Sequence, residues 1–180
     1  MQKHLVMTVT GHDRVGLVED ITRLILEFDG NIEASRMARL GGEFTIVMLV
    51  SVPEAKFKQM RKNVRSLRDE GYKTTTRETE RGQSAKYVGW KSYQVAVRGA
   101  DHEGIIHQIT RHLAERGVNI EEMETSVVSA PMSGSPLFTM TARVYAPPHL
   151  VYDEWREELE DVGDALNVDT EVTPYVEKVS

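Results

Sequence analysis

The sequence predicts an α+β protein of two ferredoxin-like βαββαβ units in tandem, each an antiparallel sheet with both helices on one face. Three observations predict it. Laid over itself at an offset of 88, the 180-residue chain repeats: Gly11-His-Asp-Arg-Val-Gly16 matches Gly99-Ala-Asp-His-Glu-Gly104, Ile21-Thr22-Arg23 matches Ile109-Thr110-Arg111, and Asn31-Ile32-Glu33 matches Asn119-Ile120-Glu121. A repeat of this length makes each copy one supersecondary assembly of its own. Within each copy the apolar period switches between two and 3.6 in the same order. Glycine, proline and asparagine fall where the period changes.

In the first copy Leu5, Met7 and Val9 alternate as a strand, and Gly11–Arg14 makes a turn. Leu17, Ile21, Leu24, Ile25 and Phe28 then form one helical face, which Asp29-Gly30-Asn31 stops with residues that tolerate positive φ. Residues 32–40 read as a second strand, Gly41-Gly42 as a hairpin turn and 43–52 as a third strand. Pro53 suits a first helical turn, and Phe57, Met60, Val64 and Leu67 give that helix its buried stripe. Gly71 ends it, before a threonine-rich fourth strand over 72–79.

The second copy runs strand 91–98, helix 102–116, strands near 118–129 and 137–145, helix 148–162 and strand 165–174. Past Glu121 the offset grows to 94, so Pro53 maps onto Pro147, and the extra residues fall in the hairpin loop Ala130-Pro-Met-Ser-Gly-Ser-Pro136. The expected domains are 1–80 and 91–180, with a polar, weakly patterned linker over 81–90.

Composition limits the function classes. Hydrophobic residues at 40% and charged residues at 28% are ordinary for a globular protein, and no apolar run approaches a membrane span. The start lacks the apolar block of a signal peptide, so a cytoplasmic location is expected. The absence of cysteine excludes disulfides, thiol catalysis, iron–sulfur clusters and thiolate zinc sites. Residues 1–88 hold 15 Lys and Arg against 12 Asp and Glu, whereas residues 89–180 hold 7 against 16. Most of that asymmetry lies in two helices. One carries Lys56, Lys58, Arg61, Lys62, Arg65 and Arg68; its counterpart carries Asp153, Glu154, Glu157, Glu158, Glu160 and Asp161 against Arg156. An acidic chain with one basic helix is a poor autonomous nucleic-acid binder, and a solvated face or a charge-steered protein contact is expected instead.

Several motifs fail on chemistry. The G-x-x-x-x-G spacing of Gly11–Gly16 and Gly99–Gly104 is followed by Leu17-Val18 and Ile105-Ile106, not by the Lys and Ser/Thr of a phosphate loop. His102 and His107 stand five apart rather than four, which places their rings on different faces of a helix, so no metal site is expected from them. Surface or partly buried roles are expected for these, for His112, and for His4 and His149. No nucleophile elbow, carboxylate pair or Cys/His pair argues for an enzyme, and no cofactor is implied.

What recurs is turn chemistry. Asp13 and Asp101 precede a helix, where the expected role is a cap; free N–H groups there also suit a ligand carboxylate, with side-chain oxygens for an ammonium. Gly11 and Gly16 allow close backbone approach. Asn31 and Asn119 are expected in a turn returning to the same end of the sheet, as turn formers or as partners for a bound zwitterion.

The succession strand, Gly-His-Asp-Arg-Val-Gly-Leu-Val, helix, Gly30-Asn-Ile-Glu33 resembles the ACT domain, and Gly117-Val-Asn-Ile-Glu121 after the second glycine turn resembles it again. The tandem pair is similar to the glycine cleavage system transcriptional repressor group. That resemblance implies a non-enzymatic regulator. It would bind a small amino acid, glycine or serine, at the interface between its ACT-like domains, and act through a protein partner such as a transcription factor without direct nucleic-acid or membrane contact. It marks Gly11, His12, Asp13, Arg14, Val15, Gly16 and Asn31 in the first copy, and Asp101, Gly104 and Asn119 in the second. The second copy has His102 and Glu103 where the first has Arg14 and Val15, and family members often carry proline at the Val15 position. Glu103 disfavours a ligand carboxylate nearby, which points to one good site and one degenerate copy. The alternative reading is a ligand-independent interaction module or the regulatory subunit of a metabolic enzyme. Assembly into a homo-oligomer is left open.

Overall fold

The computed structural model describes residues 1–80, 87–129 and 134–176. The chain divides into two compact units, Met1–Gln83 and Ser84–Ser180. In the first, the elements are β1 (Gln2–His12), α1 (Leu17–Glu27), β2 (Asn31–Leu40), β3 (Glu43–Pro53), α2 (Glu54–Val64) and β4 (Lys73–Thr79). In the second they are β5 (Lys91–Ala100), α3 (Ile105–Glu115), β6 (Asn119–Ser129), β7 (Pro136–Ala146), α4 (Tyr152–Ala165) and β8 (Val168–Pro174). Each sheet is antiparallel, ordered β2-β3-β1-β4 and β6-β7-β5-β8, as the βαββαβ reading requires.

The alternation seen in the sequence becomes a two-layer core. Leu5, Met7 and Val9 of β1 and Phe44, Ile46, Met48 and Val50 of β3 are buried under Leu17, Ile21 and Ile25 of α1 and Phe57, Met60 and Val64 of α2. Side chains on a strand alternate faces, so the intervening residues face away from the helices. The second unit repeats the plan with Val95, Val97, Met140 and Val144 under Ile105, Ile109, Leu113, Trp155 and Leu159. Both copies break the β2 or β6 ladder at the same place, between Ile32 and Ala34 and between Ile120 and Glu122, leaving Glu33 and Glu121 outside the pairing.

Three helix boundaries differ from expectation. α3 starts at Ile105, not His102, because Gly104 takes φ +93 immediately before it. α4 starts at Tyr152, not Pro148: Pro147 accepts the Leu150 N–H in a tight turn, and a residue before proline is pushed out of the helical region. At its other end α4 runs on to Ala165, and Asn167 at φ +54 makes the turn into β8. Leu67, expected in the stripe of α2, lies in a short 3₁₀ segment over Arg65–Arg68 and is still buried. Of the expected linker, residues 81–86 lie outside the described residues; Tyr87 stacks on Tyr145 of β7. The expected loop insertion lies outside them over residues 130–133.

Candidate functional site

The polar residues shared by the two copies gather at the turn from first strand to first helix. β1 ends at His12, and α1 begins at Leu17 after Gly16 at φ +86, a conformation that favours glycine. Asp13 and Asp101 do not cap the helices. The N-cap residues are Gly16 and Gly104, neither with a side-chain bond, and each aspartate stands three residues earlier. Asp13 instead meets Arg39 of β2 at 3.6 Å.

Arg14 fastens the first turn. Its Nε donates to the Tyr72 hydroxyl at 3.0 Å, and Nη2 pairs with Asp20 at 2.6 Å and Glu70 at 3.5 Å. The Arg14 guanidinium holds the Asp20 carboxyl below the usual carboxylate range. His102 occupies the Arg14 position of the second copy. Its ring reaches the main-chain carbonyls of Leu166 at 2.8 Å and Glu103 at 3.0 Å, and these contacts raise its pKa. Tyr72 and Leu166 both lie just ahead of the last strand of their unit, so each side chain ties its turn to the approach to that strand.

Beside each turn lies an open groove, and the two are equivalent. In the first unit Asp13, Arg14, Gly16, Leu17, Met37 and Arg39 line a groove of about 470 Å³. In the second, Asp101, His102, Gly104, Ile105, Thr125 and Val127, the residues 88 positions on, line one of about 750 Å³. Phe44 and Phe138 supply corresponding parts of the walls. The first groove carries the cations Arg14 and Arg39 beside the acids Asp13 and Glu19; the second has Asp101 and Glu103, with His102 and hydroxyls from Thr110, Thr125 and Ser126.

Of the residues marked from the sequence, Asp13, Arg14, Gly16, Asp101 and Gly104 line the grooves. Gly11 sits behind the first one, packed on Tyr72. His12 is exposed and pairs with Glu43 at 2.9 Å, and Val15 is fully exposed. Asn31 and Asn119 are elsewhere, contrary to expectation. The ladders set Asn31 opposite Ser51, itself opposite His4, whereas the turn end of the sheet is marked by His12, Glu43 and Leu40. Asn119 opposite Tyr145 repeats the arrangement. A helix of 11 residues carries the chain back down the sheet, so β2 begins at the far end. Sequence reading missed the β2 and β6 walls, Met37, Arg39, Thr125 and Val127. Period-two spacing from Ile32 or Ile120 does not mark them, because the break in the ladder after each shifts the alternation by one.

The histidines are dispersed. His4 pairs with Glu33 at 3.2 Å, and His112 is buried with Nε2 unpartnered. Among the described residues no group of three or more His, Asp or Glu is placed to hold a metal ion, and no helix is long and apolar enough to cross a membrane.

Comparison with known proteins agrees with this fold. A family model described as the ACT domain matches residues 3–74, within the first unit. The glycine cleavage system transcriptional repressor of Escherichia coli (strain K12) is 52% identical over 50 residues, 28% of this chain and 26% of that protein, so the match spans about a quarter of the relative. A crystal structure of an unknown protein from Galdieria sulphuraria is 34% identical with a TM-score of 0.84, covering 98% of this chain and 100% of that one. A second, named as a putative glycine cleavage system transcriptional repressor, shares the fold at 22% identity and a TM-score of 0.71, covering 98% of this chain and 99% of that one. The second unit has the strand order of the first and repeats its turn residues. The first unit is matched by the ACT domain, the second repeats its fold and turn residues, and the chain is similar to the glycine cleavage system transcriptional repressors.

Proposed function

We propose that this protein is a cytoplasmic, non-enzymatic regulator that binds a small amino acid at its βα turns and thereby controls a protein partner, in the manner of a transcriptional regulator of glycine metabolism. The observation that carries the reading is the equivalent groove beside the glycine turn of each unit. The first turn of a helix presents N–H groups without partners in the helix, suited to a carboxylate. In the first unit Arg14 and Arg39 add positive charge, and Asp13 offers oxygens to an ammonium.

An open groove of several hundred cubic ångströms does not hold glycine or serine alone, because small-ligand sites bury most of the ligand. A second ACT module supplies the missing wall. β2 is an edge strand with Met37 and Leu40 exposed, and its end is level with the turn while Asn31 starts it at the other end. Two such edges meeting antiparallel bring the asparagine of one module beside the turn of the other. The sequence-marked residues then converge, although they are apart within one unit. Ligand binding shifts the packing of modules and so the affinity for the partner, and the partner must shift ligand affinity by the same factor.

Calorimetric titration of the purified chain with glycine, serine and the other amino acids tests this. Saturable binding that is lost in Arg14→Ala and Asn119→Ala variants with unchanged circular dichroism is the expected result. No heat from any amino acid would overturn the sensor and leave a ligand-independent interaction module or enzyme subunit.

A further inference from the structure

Helices α2 and α4 carry outward stripes of opposite charge whose spacings match. On α2 and the first residue of the 3₁₀ segment that continues it, Lys58, Lys62 and Arg65 are exposed, away from the buried Phe57, Met60 and Val64, and none has an ion pair or side-chain hydrogen bond among the described residues. The other basic residues of this segment are engaged: Lys56 with Asp29, Arg61 with Thr76, and Arg68 with Thr74. On α4, Glu154, Glu157 and Asp161 are exposed, opposite Trp155, Leu159 and Gly163. Glu157 makes a contact of 3.3 Å with Arg156; Glu154 and Asp161 make none among the described residues.

The cations are separated by four and then three residues, and the acids, read from Asp161 back to Glu154, by four and then three. At about 1.5 Å of rise per residue the stripes are commensurate when the helices run antiparallel. Lys58 then faces Asp161, Lys62 faces Glu157 and Arg65 faces Glu154. We propose that α2 of one copy of this chain docks antiparallel on α4 of a second copy, with these three pairs setting the register. A second copy fits better than a polyanion. The chain is acidic overall at −6, the cationic stripe has no exposed aromatic side chain interleaved, and its counterpart in number and spacing is built into the same molecule. The contact joins two different surfaces, so a pair of copies that closes makes it twice. Exposed ion pairs contribute register and salt sensitivity more than strength, and the association is weak and reversible.

Sedimentation velocity of the full chain over a concentration series tests the docking. Concentration-dependent association at low salt, weakened at about 0.5 M NaCl where the screening length is a few ångströms, is expected. The triple variant Lys58→Glu, Lys62→Glu, Arg65→Glu and the triple variant Glu154→Lys, Glu157→Lys, Asp161→Lys each lose self-association by roughly tenfold or more, since like charges then meet. Mixed in equal amounts, the two variants restore it, because both contacts become complementary again. Circular dichroism and thermal melts confirm that each variant is folded. A concentration-independent monomer at low salt, or association indifferent to both reversals, overturns the proposal. Salt-dependent binding of a short DNA duplex that the lysine-stripe reversal abolishes, without self-association, reassigns that stripe to a polyanion and also overturns it.

Discussion

His102 and Leu166 are joined by a 2.8 Å contact between the imidazole Nε2 and a main-chain carbonyl, while Nδ1 of the same ring meets the Glu103 carbonyl at 3.0 Å. Carbonyl oxygens only accept, so both contacts are hydrogen bonds only when both ring nitrogens carry protons. Arg14 ties the first turn with a group that stays charged at every pH; His102 ties the second with one that does not.

The consequence is a pH limit on the second unit. The Leu166 carbonyl first, and the Glu103 carbonyl second, raise the His102 pKa above its ordinary value. A raised value means the folded state holds the proton more tightly than the unfolded one. The stabilisation is therefore fully present below the unfolded value, near 6.5, and is lost as pH rises through the raised one. Both tryptophans, Trp90 and Trp155, belong to the second unit, so their fluorescence reports its unfolding. The urea midpoint should fall across that window in the parent and stay flat in His102→Gln. An unchanged slope in the variant would remove the histidine from the explanation.

His112 works in the opposite direction. Burial first, and the Arg116 charge second, lower its pKa, against smaller raising effects from Glu158 and Glu115. A depressed value makes the unfolded chain the better proton binder, so stability present above about 6.5 is lost as pH falls through the depressed value. With Nε2 buried and unpartnered, His112→Leu should also stabilise the unit by on the order of 1 kcal/mol at neutral pH. Repeating the urea series with this variant checks both effects: the acid limb flattens and the midpoint rises.

The equivalent glycines Gly11 and Gly99 should differ in what they tolerate. A Cβ on Gly99 would stand 2.6 Å from Val168 Cγ1, 2.9 Å from its Cα and 3.0 Å from the Asn167 carbonyl, so the main chain of the turn into β8 would have to move. The three atoms nearest a Cβ on Gly11 all belong to the Tyr72 ring, the first two at 2.5 Å and 3.0 Å. A ring can slide where a backbone cannot. Gly99→Ala should cost about 1–3 kcal/mol and Gly11→Ala less, measured by urea unfolding followed by circular dichroism. The reverse order would show that Arg14 locks Tyr72 in place.

The fold was legible because its signals are local. Alternation at Leu5, Met7 and Val9, the helical stripe from Leu17 to Phe28 and the paired glycines at positions 41 and 42 each decide one element. Those glycines take φ +58 and +86, as a tight hairpin requires. The 88-residue repeat then fixes their order twice. Boundaries depending on one residue's backbone were less legible: Gly104 delays α3, and the proline pair at 147 and 148 delays α4. The aspartate caps failed for the same reason, since a left-handed glycine turn intervenes between Asp13 and Leu17. The turn of the candidate groove was legible, because its residues are contiguous in sequence. The groove's β2 wall was not, because register decides what stands across from the turn, and register is a long-range property.

Register also makes the sharpest test of the ligand model. Within one unit, Asn31 lies level with His4 while Arg14 follows the turn after His12. Seven residues of strand between His4 and Gly11 span roughly 24 Å at about 3.4 Å each. No amino acid reaches both. Residues so far apart that share no ligand should change affinity additively, within about 0.5 kcal/mol. A ligand touched by Arg14 of the first module and Asn119 of the second instead links those two across a single bound molecule. A double-mutant cycle of conservative changes, Arg14→Lys and Asn119→Asp, read by calorimetry against whichever amino acid binds, should show a coupling above that level, while the cycle with Asn31→Asp should not. Strict additivity in both would confine the ligand to the turn and its β2 wall, and Asn119 would be left as the residue that starts its strand.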